Sequence, residues 1–424
     1  MLKREKACRI MHMFFAIGII IVLSHTLNAE QPKPITFLHY YSSSHARLAM
    51  DKMVAVINRE HPEFQVKVTG FEQEPFKVSI KAMLAGGNPP DLFTYWAGAR
   101  VQLLVDAGYL EPLDDLWEQA HMHERFTPAI AQASTYNGRK YMIPLTQYYA
   151  AFFYNKHIFD EFGITVPTTW TEFLTVCQQL KAAGITPIAL GSLNRWPAQF
   201  WFDYLLLRTA GSEYRQRLMT GNAAYTDPEV KHAFNLWKQL VEQGYFAPNP
   251  NVYDWFEAGK TVVHGQAAMT LMGHWIMPMF EKEGWKQQQD YDFFPFPMLD
   301  PTLPGVSVGP IDGIVISKKK NTEAATTVSG YFADIAPQQT WIQAMGSLSP
   351  NQHIAPSVYT ELQQRMLNTI AETPYWAFNY DLATPDPVAQ AGLDSFVKFL
   401  DHPDRYIEIL HELETQANAF FRTP

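Results

Sequence analysis

At 424 residues the chain is too long for one ordinary hydrophobic core, and two domains are expected. Its 47% hydrophobic and 18% charged residues exclude intrinsic disorder, and a formal charge of −9 disfavours nucleic acid and anionic membrane surfaces as partners. Aromatic residues make up 14% of the chain, with 11 Trp, which is more than a core needs and leaves rings to face a ligand.

Met1 to Ala29 read as a secretory signal peptide. Lys3, Arg4, Lys6 and Arg9 precede the apolar run Met11 to Leu23, and Ala29 is a small residue at the expected cut. His12, Ser24 and His25 bound that run too tightly for a comfortable membrane span. Cys8 lies ahead of the run, so no lipidation cysteine stands at the cleavage region, and a periplasmic product is expected. Loss of Lys3, Arg4, Glu5, Lys6 and Arg9 would take the formal charge from −9 to −12. Cys177 would then be the only cysteine, on the apolar side of a helix with Trp170, Phe173 and Leu180, as a buried thiol.

From Ile35 the pattern is strand, helix, strand, helix, strand. Ile35–Tyr40 is β-rich, Ser44–Glu60 carries Ala46, Met50, Met53 and Ile57 at helical spacing, and Phe64, Val66 and Val68 alternate. Phe76, Ile80, Met83 and Leu84 mark a helix face, closed by Gly86-Gly87 and Pro89-Pro90 before a strand Asp91–Tyr95. That order implies parallel crossovers, and ligands of open α/β sheets sit beyond the carboxyl ends of the strands. Tyr40, Tyr41, Ser42 and Ser43, then Phe71 to Glu74, then Tyr95 and Trp96 are thereby aimed at one rim. The stretch Tyr141–Asn155 carries the chain into a second sheet: Pro144 opposes a long regular element, the run Ala150–Tyr154 suits a buried strand, and Thr146, Gln147, Tyr148 and Tyr149 fall at the floor of the cleft between.

Beyond it, Thr169 with Glu172 forms a capping box for a helix ending near Gly184, and Pro187–Leu190 is a strand whose trailing loop is Gly191–Pro197. A helical segment Gln199–Arg208 follows. Asp227-Pro228-Glu229 opens a helix that buries Trp237, and the strand Ala267–Met272 delivers Gly273-His274-Trp275 to its carboxyl end. Gly305–Gly313 is a break, Ile314–Ile316 a strand, and Asn321 the cap of a helix with Ala325, Val328, Phe332 and Ile335. A second break at Met345–Pro350 precedes two helices, about 387–400 and 404–421.

Several stretches follow one another in order: Asn-Arg-Glu-His-Pro-Glu-Phe from Asn58, Ala-Met-Leu-Ala-Gly-Gly-Asn-Pro-Pro-Asp-Leu-Phe from Ala82, and Ala-Gly-Tyr-Leu-Glu-Pro-Leu-Asp-Asp-Leu from Ala107. Tyr141-Met-Ile-Pro, Phe153-Tyr-Asn-Lys, Val166-Pro-Thr-Thr-Trp-Thr-Glu-Phe, Gly265-Gln-Ala-Ala-Met with Gly273-His-Trp275, and Asp312-Gly-Ile-Val-Ile-Ser-Lys continue the series over nearly the whole mature chain. In order and spacing they resemble the extracellular solute-binding proteins of sugar ABC importers, the group that includes maltose-binding protein. The resemblance implies an α/β, two-lobed periplasmic binding protein fold (type II-like), a hinge of about three crossings, and saccharide capture by hinge closure with delivery to membrane permease subunits. Mainly parallel sheets are expected in both lobes. The limits expected are 1–29 for the signal peptide, 30–143 with 306–350 for one lobe, and 144–305 with 351–424 for the other.

A saccharide wants flat rings under its C–H faces and charged or amide groups at its hydroxyl edge. The candidate ligand-binding residues are Tyr41, Ser43, Trp96, Arg100, Gln147, Tyr148, Trp196, Asp203, Trp275, Asp312 and Trp376. Trp275 is singled out because the family commonly stacks the tryptophan of Gly-x-Trp on its ligand, and Asp312 because the family's Asp-Gly presents a carboxylate to hydroxyls. The bland alternatives are a core Trp, an Asx turn at Asp312, and a helix-surface acid at Asp203. Arg195 is either a hydroxyl clamp or a solvated charge. Glu72/Glu74 and Asp114/Asp115 read as solvated pairs, and His121-Met-His123 as surface, so no catalytic residue, metal or cofactor is expected. The expected ligand is a neutral di- or oligosaccharide and the expected state a monomer. The rivals are a periplasmic carbohydrate-active enzyme and a receptor for a non-sugar ligand.

Overall fold

The structure is a computed structural model, and it describes residues 33–319 and 322–422. The proposed signal peptide and the cap at Asn321 lie outside the described residues.

The first sheet starts as read. Strands β1 (Lys33–His39) and β2 (Phe64–Gly70) are parallel neighbours, and β3 (Leu92–Trp96) pairs parallel to β1 on its other side. Between them run α1 (Ser44–Glu60), capped by the Ser43 side chain, and α2 (Gln73–Ala85), which buries Phe76, Ile80 and Leu84. After α3 (Ala99–Asp106) come three short helices and the hairpin β4–β5 (Thr135–Tyr136, Arg139–Lys140), before β6 (Ile143–Gln147).

Pro144 lies inside β6, an edge strand, where its missing N–H is tolerated. Then β7 (Ala150–Asn155), β8 (Thr186–Ala189), β9 (Ala267–Gly273) and β10 (Tyr291–Phe294) form a second sheet in the order β10-β7-β9-β8. Short β11 (Val306–Val308) precedes β12 (Ile311–Ile316), which returns to the first sheet, so that its order is β2-β1-β3-β12-β6. β11 pairs with β13 (Tyr375–Ala377).

The expectation of mainly parallel sheets holds for strand direction, with one strand reversed in each: β2, β1, β3 and β6 point one way in the first sheet, and β10, β9 and β8 in the second. β12 runs antiparallel to both β3 and β6, and β7 runs antiparallel to both β9 and β10, leaving β8–β9 as the parallel pair of the second sheet. The cause is topological. β7 and β12 each enter a sheet from the opposite lobe, at the hinge end, so they run against the strands already there.

Two apolar cores accompany the two sheets. One gathers residues from Ile35 to Leu145 and from Ile311 to Trp341; the other gathers residues from Tyr149 to Val308 and from Ile342 to Ala417. With Leu382 set aside, core membership among the described residues changes three times, between Leu145 and Tyr149, Val308 and Ile311, and Trp341 and Ile342. A further link is Leu382, which sits in the first core although its neighbour Tyr380 is in the second. Trp237, Cys177 and Trp201 are fully buried in the second core, Cys177 as a free thiol.

Candidate functional site

Between the lobes lies a cavity of about 380 Å³. The first lobe contributes Tyr40, Tyr41 and Ser43 after β1, Trp96 at the end of β3, Arg100 on α3, and Asp312 on β12; Tyr148 stands at the crossing. The second contributes Trp196, Gln199 and Phe200 from the turn into α4 (Gln199–Met219), Trp255 and Phe256 from the helix Trp255–Val263, and Trp275. Asn379 and Asp381 come from the segment entering α5 (Tyr380–Ala383).

Asp312 is placed by register. It lies opposite Trp96 on β3 and Thr146 on β6, and the ladder slips between Asp312 and Gly313. Gly313 permits that slip, since a Cβ there would lie 2.5 Å from the Ile143 carbonyl oxygen. The Asp312 side chain is 2% exposed; the Tyr41 hydroxyl donates to Oδ2 at 3.5 Å, and Oδ1 has no partner among the described residues. Burial pushes its carboxyl up to about 7, against the downward pull of the Tyr40 and Tyr41 hydroxyls.

Trp96 is also in the lining, but its ring is taken. Tyr40 stacks on it at 3.9 Å, and the Arg100 guanidinium sits 4.9 Å from its centroid. Trp96 therefore carries Arg100, whose Nη2 donates to Asp381 Oδ2 at 2.6 Å.

Trp275 is half-buried in a 3-10 turn, His274–Ile276, directly after β9. Its indole folds back over Gly273 so closely that a Cβ there would lie 2.0–2.3 Å from three ring carbons. Tyr148 meets it edge-on at 5.2 Å and Trp196 at 5.8 Å. Between them His274 locks the turn to the crossing: its N–H donates to the Tyr149 carbonyl, and its Nδ1 accepts from the Tyr149 N–H at 3.1 Å. Full burial pushes the His274 imidazole down to about 3, so it stays neutral.

Of the sequence candidates, Tyr41, Ser43, Trp96, Arg100, Tyr148, Trp196, Trp275 and Asp312 meet at this cavity, and Gln147, Asp203 and Trp376 do not line it. Gln147 donates its backbone N–H to Leu348 at the hinge. Trp376 packs against the first core beside Gly309. Asp203 is buried and pairs with Arg215, whose Nε and Nη2 both donate to Oδ1, at 3.0 and 2.6 Å. Twelve residues of straight helix would separate the two by about 18 Å. The break at Gly211, φ 79 and ψ 171, turns α4 back and lets them meet.

Asp203 still serves the site, through its neighbours. Its Oδ2 accepts from the Tyr380 N–H at 2.8 Å, and Arg215 donates to the Phe378 carbonyl at 2.7 Å, which fixes the segment bearing Asn379 and Asp381. Arg195 lies outside the lining; it pairs with Asp394 at 2.6 Å and reaches Gln390 at 2.8 Å. Sequence reasoning missed Gln199, Phe200, Trp255, Phe256, Asn379 and Asp381. A signal existed for Trp255, since Asp254 and Glu257 form a capping box that starts its helix at the rim.

The family model for bacterial extracellular solute-binding proteins matches residues 42–339. An uncharacterised ABC transporter extracellular-binding protein of Pyrococcus horikoshii is 28% identical over 357 residues, 82% of this chain and 79% of the relative. A multiple sugar-binding protein of Streptococcus mutans is 25% identical over 348 residues, 78% of this chain and 80% of the relative. Among solved structures, the bacterial solute receptor AcbH, described as having an exclusive preference for β-D-galactopyranose, superimposes with a TM-score of 0.85 at 27% identity, covering 92% of this chain and 100% of that one. A chitin oligosaccharide binding protein does so with a TM-score of 0.83 at 25% identity, over 92% and 100%.

Proposed function

Since the chain belongs to the bacterial extracellular solute-binding protein family, we propose that it captures a saccharide in the interlobe cavity and delivers it to the permease subunits of an ABC importer. The observation that supports this most is the mixed wall of the cleft. Trp196, Phe200, Trp255, Phe256 and Trp275 on the second lobe and Tyr40, Tyr41 and Trp96 on the first share one cavity with Asp312, Arg100 and Gln199. A sugar ring offers C–H faces to the rings and hydroxyls to the polar groups, and it joins both walls only when the lobes come together. Hinge closure is the mechanism of this class as a whole.

We take the moving bodies to follow the two cores, about 33–147 with 311–341 and 149–308 with 342–422, in place of the expected limits at 143, 306 and 350; the site residues to be those of the cavity wall; and the ligand to be a neutral di- or oligosaccharide. The protein is read as a monomeric periplasmic receptor released by cleavage of its signal peptide, and as non-catalytic. Its two cavity acids support that last point. Asp381 is tied to Arg100 and Asn379, which leaves Asp312 without a second free carboxyl of the kind glycosidases require.

A thermal-shift screen with D-galactose, chitin oligosaccharides and xylo-oligosaccharides tests the reading, because a ligand that binds the folded state raises the melting temperature. A saturable shift with the sugar recovered intact supports capture. Cleaved sugar would favour the enzyme, and no shift with any saccharide would favour a non-sugar ligand.

A further inference from the structure

Lys81 and Asp386 form an ion pair of 2.8 Å, and neither lines the cavity. Lys81 is on α2, whose buried face belongs to the first core. Asp386 opens α6 (Asp386–Asp401), whose buried face belongs to the second. The pair therefore joins the lobes at a point that is not one of the three chain crossings. Nearer the cavity, Arg100 on α3 and Asp381 on α5 join them again. Gly98 allows the approach: its φ is +91, and a Cβ there would lie 2.2 Å from the Leu382 carbonyl oxygen.

Asp386 is held in place for this contact. Gln390, one turn on, donates to its other oxygen at 3.2 Å, and the Gln390 oxygen accepts from Arg195 at 2.8 Å. Arg195 in turn precedes Trp196, a ring of the cavity wall. A line of polar contacts thus runs from α2 of the first lobe, along α6, to a ligand-facing turn of the second.

We propose that Lys81 and Asp386 are positioning residues for capture: an outer clasp between the lobes that sets how often they are together, and so the affinity, without touching the ligand. Opening the cleft moves α2 away from α6, and a contact of 2.8 Å is lost within the first few ångströms of travel. The pair is partly exposed, with side chains 44% and 27% accessible, so its effect on the closed population is a factor of about two to five and is screened by salt. Apparent affinity scales with the population competent to bind, so the same factor passes to the dissociation constant.

The inference rests on the interlobe capture proposed above, but its first measurement contains no saccharide, so the two fail separately. Small-angle scattering of the full mature chain is compared for wild type, Lys81→Glu, Asp386→Lys and the double reversal, at low salt and at about 0.5 M salt. Each single reversal is expected to raise the radius of gyration at low salt, and the double reversal to restore it. Lysine at the start of α6 opposes the helix dipole in both variants that carry it, so restoration by the double reversal reports the pair and not the helix. Denaturant melts on the four proteins separate opening from unfolding. A wild type already open without ligand and indifferent to both single reversals overturns the proposal, as does a folded double reversal that stays as open as the singles.

Discussion

Gly273→Ala tests the assignment of Trp275 without altering any group that would touch a ligand. The backbone at Gly273, φ −72 and ψ 154, suits alanine, so the substitution carries no conformational strain. Its methyl, however, would lie 2.0 Å from the nearest indole carbon, and ordinary contact begins near 3.4 Å, so the ring must retreat by about 1.4 Å. Tyr148, Trp196 and Phe200 crowd its edges, which leaves the open cavity as its way out. Because the ring can move into space, folding stability should fall by less than the roughly 1–3 kcal/mol of overpacking in a closed core. Affinity should fall by about 1–3 kcal/mol, or roughly five- to 150-fold, since a displaced aromatic anchor is lost to binding almost as if truncated. Titration calorimetry with a saccharide that shifts the wild-type melt, alongside denaturant melts, reads both quantities. Unchanged affinity in a folded Gly273→Ala protein would refute the stacking role. So would a Trp275→Ala variant that loses roughly 3–5 kcal/mol of stability, as an emptied core site does, while its folded fraction binds normally.

Asp312→Asn should change the pH dependence of stability. The buried carboxyl titrates near 7 in the fold and near 3.8 when unfolded, so between those values the folded state holds the extra proton and wild-type stability falls as pH rises, levelling above 7. The variant lacks this slope and should gain on wild type from about pH 4 to 7; denaturant melts that run parallel at every pH would show that Asp312 titrates normally. Asp203→Ala strands the buried Arg215 and the Tyr380 N–H and should cost about 3–5 kcal/mol of stability, with saccharide affinity also reduced because Asn379 and Asp381 lose their support. Urea melts and calorimetry on that protein check both parts, and a loss below about 1 kcal/mol would contradict the buried-pair reading. Lys81→Glu is expected to weaken saccharide binding by about two- to fivefold at low salt and less at high salt; equal affinities at both would argue against the clasp.

Much of the frame is legible in local chemistry. The Thr169–Glu172 box and the face of Phe76, Ile80 and Leu84 are decided by residues within one or two turns, and the structure forms both of them. The rim positions of Trp275 and Trp96 follow from being the last residues of, or just beyond, apolar strands. Strand direction is not local, since β7 and β12 are antiparallel to their neighbours for reasons that lie in where the chain came from. Asp203 shows the same limit in one side chain. Within Phe200-Trp201-Phe202-Asp203-Tyr204 nothing distinguishes a ligand carboxylate from half of a buried pair, because the partner arrives from beyond the break at Gly211. Gln199, Asn379 and Asp381 are polar residues in no repeating pattern, and only the assembled cleft gives them a common address.

The strand order β2-β1-β3-β12-β6 also dictates a timetable. β12 is the partner that joins β3 to β6, and it is synthesised after every strand of the second sheet. A nascent chain ending near residue 305 therefore holds all four strands of the second sheet, though not the segment from Ile342 to Ala417 that completes its core, while the first sheet still presents the bare edge of β3 and an orphaned β6. Bare edges are where chains pair wrongly. The sheet begun first is the sheet completed last, and refolding of the whole protein should show β3 gaining hydrogen-exchange protection no earlier than the strands of the second sheet.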